Sequence, residues 1–300
     1  MQDFEPPLRA LRLLQAINES GGLVKAAERI GLSQSAASHA AASLERTSGA
    51  KLFVRDQGGL QLSETSLRIL PHVRQMLQAL DAIREELASE AGVQRGAIRI
   101  AAVPSLASTV IPPLMGAFGK RYPGIEVSLL EGTDQEVAEW VRRRMCHCGF
   151  AALPVVGVET HLLGQDEWTI LAPEGEFDGQ HRIGLKQLAR KRFLLSGGGC
   201  EEHIQRLFEA EGLPLPEHLL VRQMDTLQAM VAERLGVSLV PNLVLRHRPK
   251  NTRILRLSPR LYRSIGLLLP VGVVPSLGLA RWIDLMKAEF AGILKRVCSS

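Results

Sequence analysis

The stretch AAERIGLSQSAASHAAASLE, residues 26–45, leaves the chain few ways to fold. Ala26, Ala27 and Ile30 form a small packing face on a helix expected from Leu23 to Ile30. Gly31 supplies a turn residue able to take a positive φ, Leu32 an apolar plug, and Ser33 a good N-cap for the next helix. Two short helices broken at Gly31-Leu32 have the outline of a helix-turn-helix. Upstream, Leu8, Leu11, Leu14 and Ile17 recur at helical spacing until Ser20-Gly21-Gly22 stops the helix. The second helix of the pair, the one that would touch bases, carries no Lys or Arg between Ser33 and Glu45.

Downstream, KLFVRDQGGLQLS alternates around Gln57-Gly58-Gly59, which predicts a small hairpin or wing. A long helix is expected from Glu64 to Ala91, where Ile69, Val73, Met76, Leu80, Ile83 and Leu87 step by 4, 3, 4, 3 and 4 residues. That is a heptad seam, widened by Leu67, Leu70 and Leu77, and a seam needs a partner helix; the alternative is an amphipathic helix lying on its own core. EAGVQRG, Glu90–Gly96, reads as a hinge, after which strands and helices alternate and predict an α/β domain.

Charge does not carry the case for nucleic acid. The net charge is +5, but residues 1–92 hold ten basic and eleven acidic side chains, so the excess lies elsewhere. The basic residues that could meet phosphate flank the second helix: Lys25, Arg29, Arg46, Lys51 and Arg55. Ser33, Gln34, Ser35, Ser38, His39 and Ser43 offer hydroxyl, amide and imidazole groups to base edges, and alanine methyls suit thymine methyls. A helical pair kept for packing alone would place apolar residues at these positions.

The chain resembles the LysR-type transcriptional regulators over nearly its whole length. Four segments match in family order: AAERIGLSQSAASHAAASLE, LFVRDQGGLQLSETS, GAIRIAAVPSLASTVIPPLM and DTLQAMVAERLGVSLVP. Thr65 and Ser66 stand where the family has Ala-Gly, and His39 where it has a basic residue. The resemblance implies a winged helix-turn-helix over residues 1–62, a linker and dimerisation helix over 63–92, and an effector-binding domain over 93–300. It implies for that domain a two-lobed, type II periplasmic-binding-protein-like fold. Lobe I would span about 97–155 and 268–300 and lobe II about 162–263, with crossovers near Pro154–His161 and Arg263–Leu268. The partners implied are double-stranded promoter DNA, a small-molecule inducer, further copies of the chain (a dimer through residues 63–90, then a tetramer) and RNA polymerase. Arg55 matches the family's basic wing position.

Inducers of this family sit between the lobes near helix starts, which singles out Ser105, Thr133 and the run Ser196-Gly197-Gly198-Gly199. Bare glycine N–H groups at a helix start suit a carboxylate or other anion; the alternative is a plain capped loop. Cys200 begins that helix, where the dipole is expected to favour the thiolate. The peroxide-sensing branch of the family is similar here, with a reactive Cys at Cys200, polar partners matching Ser105, Thr133 and His218, and a Cys matching Cys148. Its resolving Cys corresponds to Glu209, and its cleft Arg falls near Pro270. Two sensing modes therefore stand, a reversible ligand and a thiol switch at Cys200, and the missing resolving residue favours the ligand.

Cys146-His147-Cys148, with Cys200 and His203, could suggest a metal site. On a strand, however, Cys146 and Cys148 share one face with Phe150 and His147 takes the other, so the two cysteines are expected as buried small residues and no metal is expected. No cofactor is expected. Walker, GxGxxG, zinc-protease and nucleophile-elbow motifs do not occur, so an enzyme is not expected. A solute-binding protein would share the second domain's fold but carry an export signal and no helix-turn-helix. The acidic MQDFEPPLRALRLL start, the lack of a long apolar run and the four cysteines point to the cytoplasm and away from the membrane.

Overall fold

The computed structural model describes residues 4–56, 59–90 and 95–299. They form two compact units, one of residues 1–93 with 143–145 and one of 94–142 with 146–300. Gln57 and Gly58 of the expected wing turn, and most of the expected hinge, lie outside the described residues.

The first unit runs α1 (Leu8–Ser20), α2 (Leu23–Arg29), α3 (Gln34–Ser48), β1 (Phe53–Asp56), β2 (Gly59–Leu62) and α4 (Glu64–Glu90). Its core joins Leu11, Leu13, Leu14 and Ile17 of α1 to Ala26 and Ala27 of α2 and to Ala37, Ala41 and Leu44 of α3. Helix separation follows the side chains at the contact, so the alanines let α2 and α3 approach α1 closely. Gly31 takes φ +69°, and the next amide, of Leu32, donates to the Ala27 carbonyl at 2.9 Å, closing the turn. Ser33 caps α3 by accepting from Ala36 N at 3.2 Å.

Hydrogen bonds set where the wing begins. Glu45 Oε1 accepts from Leu52 N at 2.8 Å and Phe53 N at 3.0 Å. The buried Ser66 hydroxyl donates to the Leu52 carbonyl. That bond occupies the site where the family carries Gly, so the substitution brings its own partner. β1 and β2 pair antiparallel from Phe53↔Leu62 to Asp56↔Gly59.

The heptad seam of α4 divides. Leu70, Val73 and Leu77 bury against the unit's own core. Met76, Ile83 and Leu87 stay 51%, 57% and 64% exposed. The amphipathic reading holds for the residues that bury on the unit's own core, and the exposed ones are left without a partner inside this unit.

The second unit begins β3 (Gly96–Ala102), α5 (Pro104–Ala107), α6 (Ile111–Arg121), β4 (Ile125–Glu131), α7 (Asp134–Arg142) and β5 (Cys148–Leu153). It continues β6 (Glu159–Pro173), β7 (Arg182–Ile183), α8 (Leu185–Leu188), β8 (Phe193–Ser196), α9 (Glu201–Ala210), β9 (His218–Val221), α10 (Met224–Ala232) and β10 (Ser238–Pro241). A 3₁₀ turn (Asn242–His247) leads to β11 (Thr252–Leu257), β12 (Tyr262–Leu269) and α11 (Leu277–Ser299). The main sheet has the order β4-β3-β5-β12-β6-β11-β7, with β10 on β6, and β8 pairs β9 separately.

The 15-residue β6 is the spine. It pairs with β12 over Glu159–Glu167 and with β10 and β11 over Trp168–Pro173. The chain thus crosses between the two halves at Glu167–Trp168, beyond the expected Pro154–His161. It returns between Leu257 and Tyr262, ahead of the expected Arg263–Leu268. One core gathers around Phe118, Phe150 and Trp282, another around Trp168, Phe193 and Phe208. No helix among the described residues is long and apolar enough to cross a membrane.

Because Leu44 is fully buried where all three short helices meet, Leu44→Ala should destabilise the first unit by about 2–5 kcal/mol. Urea unfolding followed by helix content should show an earlier transition, and an unmoved midpoint would refute this packing account.

Candidate functional site

On α3, residues Gln34, Ser35, Ser38, His39, Ala42 and Arg46 are exposed, and helical spacing places them on one stripe opposite the buried Ala37, Ala41 and Leu44. The helix runs three residues beyond Glu45, so Arg46 joins this stripe one turn past Ala42 and is more than the flanking charge its spacing predicts. Ser43 is half-buried at the rim. The Ser33 hydroxyl is occupied by its cap and lies 3.1 Å from Ser35 Oγ. Lys25, Arg29, Lys51 and Arg55 are exposed around the stripe, Arg55 on β1. Arg29 is held by Glu19 at 2.7 Å, so its charge is already partnered.

In the second unit, β6 and β12 build the other site. Arg263, on β12 opposite Asp166, is buried with it. Arg263 Nε and Nη2 donate to Asp166 Oδ2 at 3.0 and 2.8 Å, and Nη2 also reaches Ser105 Oγ at 2.6 Å. Asp166 Oδ1 accepts from Leu243 N at 3.2 Å. Burial pushes the Asp166 carboxyl up from its ordinary value, and Arg263 and the Leu243 N–H pull it back. The guanidinium lies over Trp168, 5.9 Å from its ring centre, and the His203 ring is 6.4 Å beyond. His203 Nε2 is 3.2 Å from Asp134 Oδ2, and Asp134 Oδ1 takes the Ala152 amide at 2.6 Å.

The glycine run has a packing reason. A side chain at Gly197 would come within 2.9 Å of Leu220, at Gly198 within 3.2 Å of the Arg222 carbonyl, and at Gly199 within 3.2 Å of Thr133 Cα. Gly199 also has φ +98°, and its N–H donates to the chain's own Glu201 Oε2 at 3.0 Å. Thr133 caps α7 in a reciprocal pair with Glu136. Ser105 bonds Arg263, Gly199 packs on Thr133, and Cys200 bonds Ser196 and feels the Arg263 charge, so these residues gather near the buried pair. His218 does not: it is exposed and pairs with Phe193, three residues along the strand from the Ser196↔Val221 pair.

Comparison with known proteins decides the family. Residues 8–66 match the model of the bacterial regulatory helix-turn-helix protein, lysR family, and residues 91–291 match the LysR substrate binding domain. The chain belongs to the LysR family. It is 31% identical over 258 residues to the probable HTH-type transcriptional regulator LrrA of Synechococcus elongatus, covering 85% of this chain and 88% of that one. It is 28% identical over 284 residues to the uncharacterized HTH-type transcriptional regulator YvbU of Bacillus subtilis, covering 93% and 97%. In fold it is similar to a full-length OxyR variant from Pseudomonas aeruginosa, with TM-score 0.76, 21% identity and 95% of each chain covered.

Two expectations for this LysR chain need correction. Cys200 is not poised as a thiolate: burial pushes its thiol up to about 11, although Arg263 and a hydrogen bond from Ser196 oppose this. Desolvation by burial is the largest influence on this thiol. Aligning the related branch's cleft Arg with Pro270 leaves this chain without that cation, whereas β12 carries Arg263 opposite Asp166 and bonded to Ser105. A lone Arg opening the apolar run of β12, and an Asp inside β6, were the available signals, since such residues are seldom buried unless paired. Cys146 and Cys148 are fully buried, and His147 Nδ1 accepts the Arg99 amide at 2.8 Å.

Breaking the buried pair from one side should cost more than removing it. Arg263→Leu should lower stability by about 3–5 kcal/mol, and adding Asp166→Leu should restore part of that; equal losses in chemical denaturation would refute the pairing. Cys200 alkylation by iodoacetamide should be slow at pH 7 and, its thiolate being the minor form, rise about tenfold per pH unit up to about 10. Peptide mapping showing rapid labelling at pH 7 would contradict the burial argument.

Proposed function

We propose that this LysR-family regulator binds double-stranded promoter DNA as a homo-oligomer and is switched by a small anionic or carbonyl-bearing inducer in the cleft around Arg263. Residues 1–62, 63–92 and 93–300 serve as reader, dimerisation helix and effector domain. The observation that carries the reading is the exposed polar stripe Gln34–Arg46 on α3, flanked by exposed Lys25, Lys51 and Arg55. Gln34, Ser35, Ser38 and His39 meet base edges, while Arg46, Arg55, Lys25 and Lys51 meet phosphate. The exposed Met76, Ile83 and Leu87, with half-buried Leu80, pair with the same helix of a second copy. A dimer, and beyond it a tetramer, multiplies the affinity of a reader with few basic residues by effective concentration. The regulator acts in the cytoplasm, where RNA polymerase uses the same promoters.

Within the cleft, Ser105, Thr133, Ser196, Cys200 and the buried guanidinium supply polar contacts, with Trp168 as an aromatic wall. Ligand sensing is favoured over a thiol switch because the Cys200 thiol is held protonated by burial.

Fluorescence anisotropy on DNA from upstream of the chain's own gene tests the reader. Arg55→Ala should weaken binding across sequences and reduce the logarithmic salt slope by about 1. Binding insensitive to salt and to Arg55→Ala would sink the proposal. Ile83→Asp should shift the chain to monomer in light scattering and cost DNA affinity; an unchanged mass would refute dimerisation through α4.

A further inference from the structure

The two faces of β6 are occupied differently. Asp166 and Trp168 face the cleft. Their neighbours Gln165 and Glu167 face the other way, into a groove of about 360 Å³ that Asn242, Arg256, Arg260 and Tyr262 also line. It lies on the reverse of the cleft, where β6 exchanges β12 for β11 as its partner.

The charge arrangement in and beside this groove is unbalanced. Glu167 is its one acid, and Arg260 spans it with Nε and Nη2 at 2.8 and 2.6 Å. Arg256 is exposed and, among the described residues, makes no ion pair. On the adjoining edge strand β7, Arg182 lies directly opposite Arg256 in parallel register, so the two side chains share a face. Arg182 too is exposed and makes no ion pair among the described residues. Like charges directly opposite on neighbouring strands repel. Arg256 lines a groove whose one lining carboxylate is already taken, and Arg182 stands beside Arg256 on the next strand, an arrangement suited to anionic charge from outside. Three guanidinium groups against one carboxylate leave two positive charges.

We propose that this groove is a second small-molecule site, separate from the cleft, and that it binds a small dianion bearing carboxylate or phosphate groups. Arg256 and Arg182 take the anionic groups through their planar forks. Asn242 and Gln165 offer amide donors and Tyr262 a hydroxyl, its ring being stacked by Arg260. The volume falls within the range of small-molecule pockets. The occupant would touch both crossover strands at the point where the halves of the domain join. This site stands whether or not the cleft holds an inducer.

Equilibrium dialysis of the full-length chain with radiolabelled inorganic phosphate, and separately with citrate, tests the proposal at fixed ionic strength. The expected result is one saturable site per chain for at least one probe. Arg256→Gln should weaken it about tenfold or more, and Arg182→Gln several-fold. Ser105→Ala, which alters the cleft, should leave it unchanged. Arg182→Gln sits on an exposed edge strand, so it decides the matter should Arg256→Gln fail to fold. Three results would overturn the site: no saturable uptake of either probe at ~10 mM, uptake undiminished by both arginine substitutions, or uptake lost in Ser105→Ala alone.

Discussion

The buried fork between Arg263 and Asp166 is the interaction on which the effector domain depends. It joins β12 to β6 where the chain passes from one half of the domain to the other, and it collects Ser105 from α5 and the Leu243 amide from the turn after β10. Two buried charges are tolerable only when their remaining hydrogen-bonding capacity is met. Here the carboxylate has the guanidinium and a backbone N–H, and the guanidinium has a hydroxyl and the face of Trp168. Since neighbours along a strand alternate, fixing Asp166 toward the cleft also fixes Gln165 and Glu167 toward the reverse groove. One ion pair thereby sets the orientation of two candidate binding surfaces.

The first unit is held together differently. Alanines at Ala26, Ala27, Ala37 and Ala41 bring three helices close, and Glu45 and Ser66 tie the wing to the helices with hydrogen bonds to the backbone of Leu52 and Phe53. The outward stripe of α3 is left polar but nearly uncharged until Arg46. Such a surface offers hydroxyl, amide and imidazole groups and methyls outward, and Arg46, Lys51 and Arg55 are exposed as well. Part of the α4 seam, Met76, Ile83 and Leu87, stays exposed.

Much of this is legible from residue spacing, because short helices announce themselves through periodicity, glycine stops and serine caps. The helix-turn-helix, the hairpin, the long helix and the alternating domain all follow from that. The position of the crossover does not. Gly164, Gln165, Asp166 and Glu167 break the apolar pattern of β6, so the pattern predicts a strand starting near Glu167 when it begins at Glu159. The same pairing of polar residues inside strands hides Arg263 and Asp166 as cleft residues. The glycine run is ambiguous because anion cradles and close backbone packing demand the same residue, and only the neighbours of Gly197 and Gly199 show how packing uses them. At Cys200, position on the helix suggests a thiolate, while burial, a property of the whole fold, raises the thiol instead. The heptad seam makes one prediction for a helix whose two parts lie in different surroundings.

The central claim is that α3 reads sequence although its stripe holds a single basic residue. Hydroxyl-radical footprinting on the chain's own upstream region tests it most directly, comparing wild type with Gln34→Ala/Ser35→Ala at matched occupancy. The expected result is that wild type protects two half-sites about 10 base pairs, or a multiple of that, apart, and that the double variant protects DNA without positional preference. An identical footprint from both proteins would show that the stripe does not read bases, and would contradict the claim.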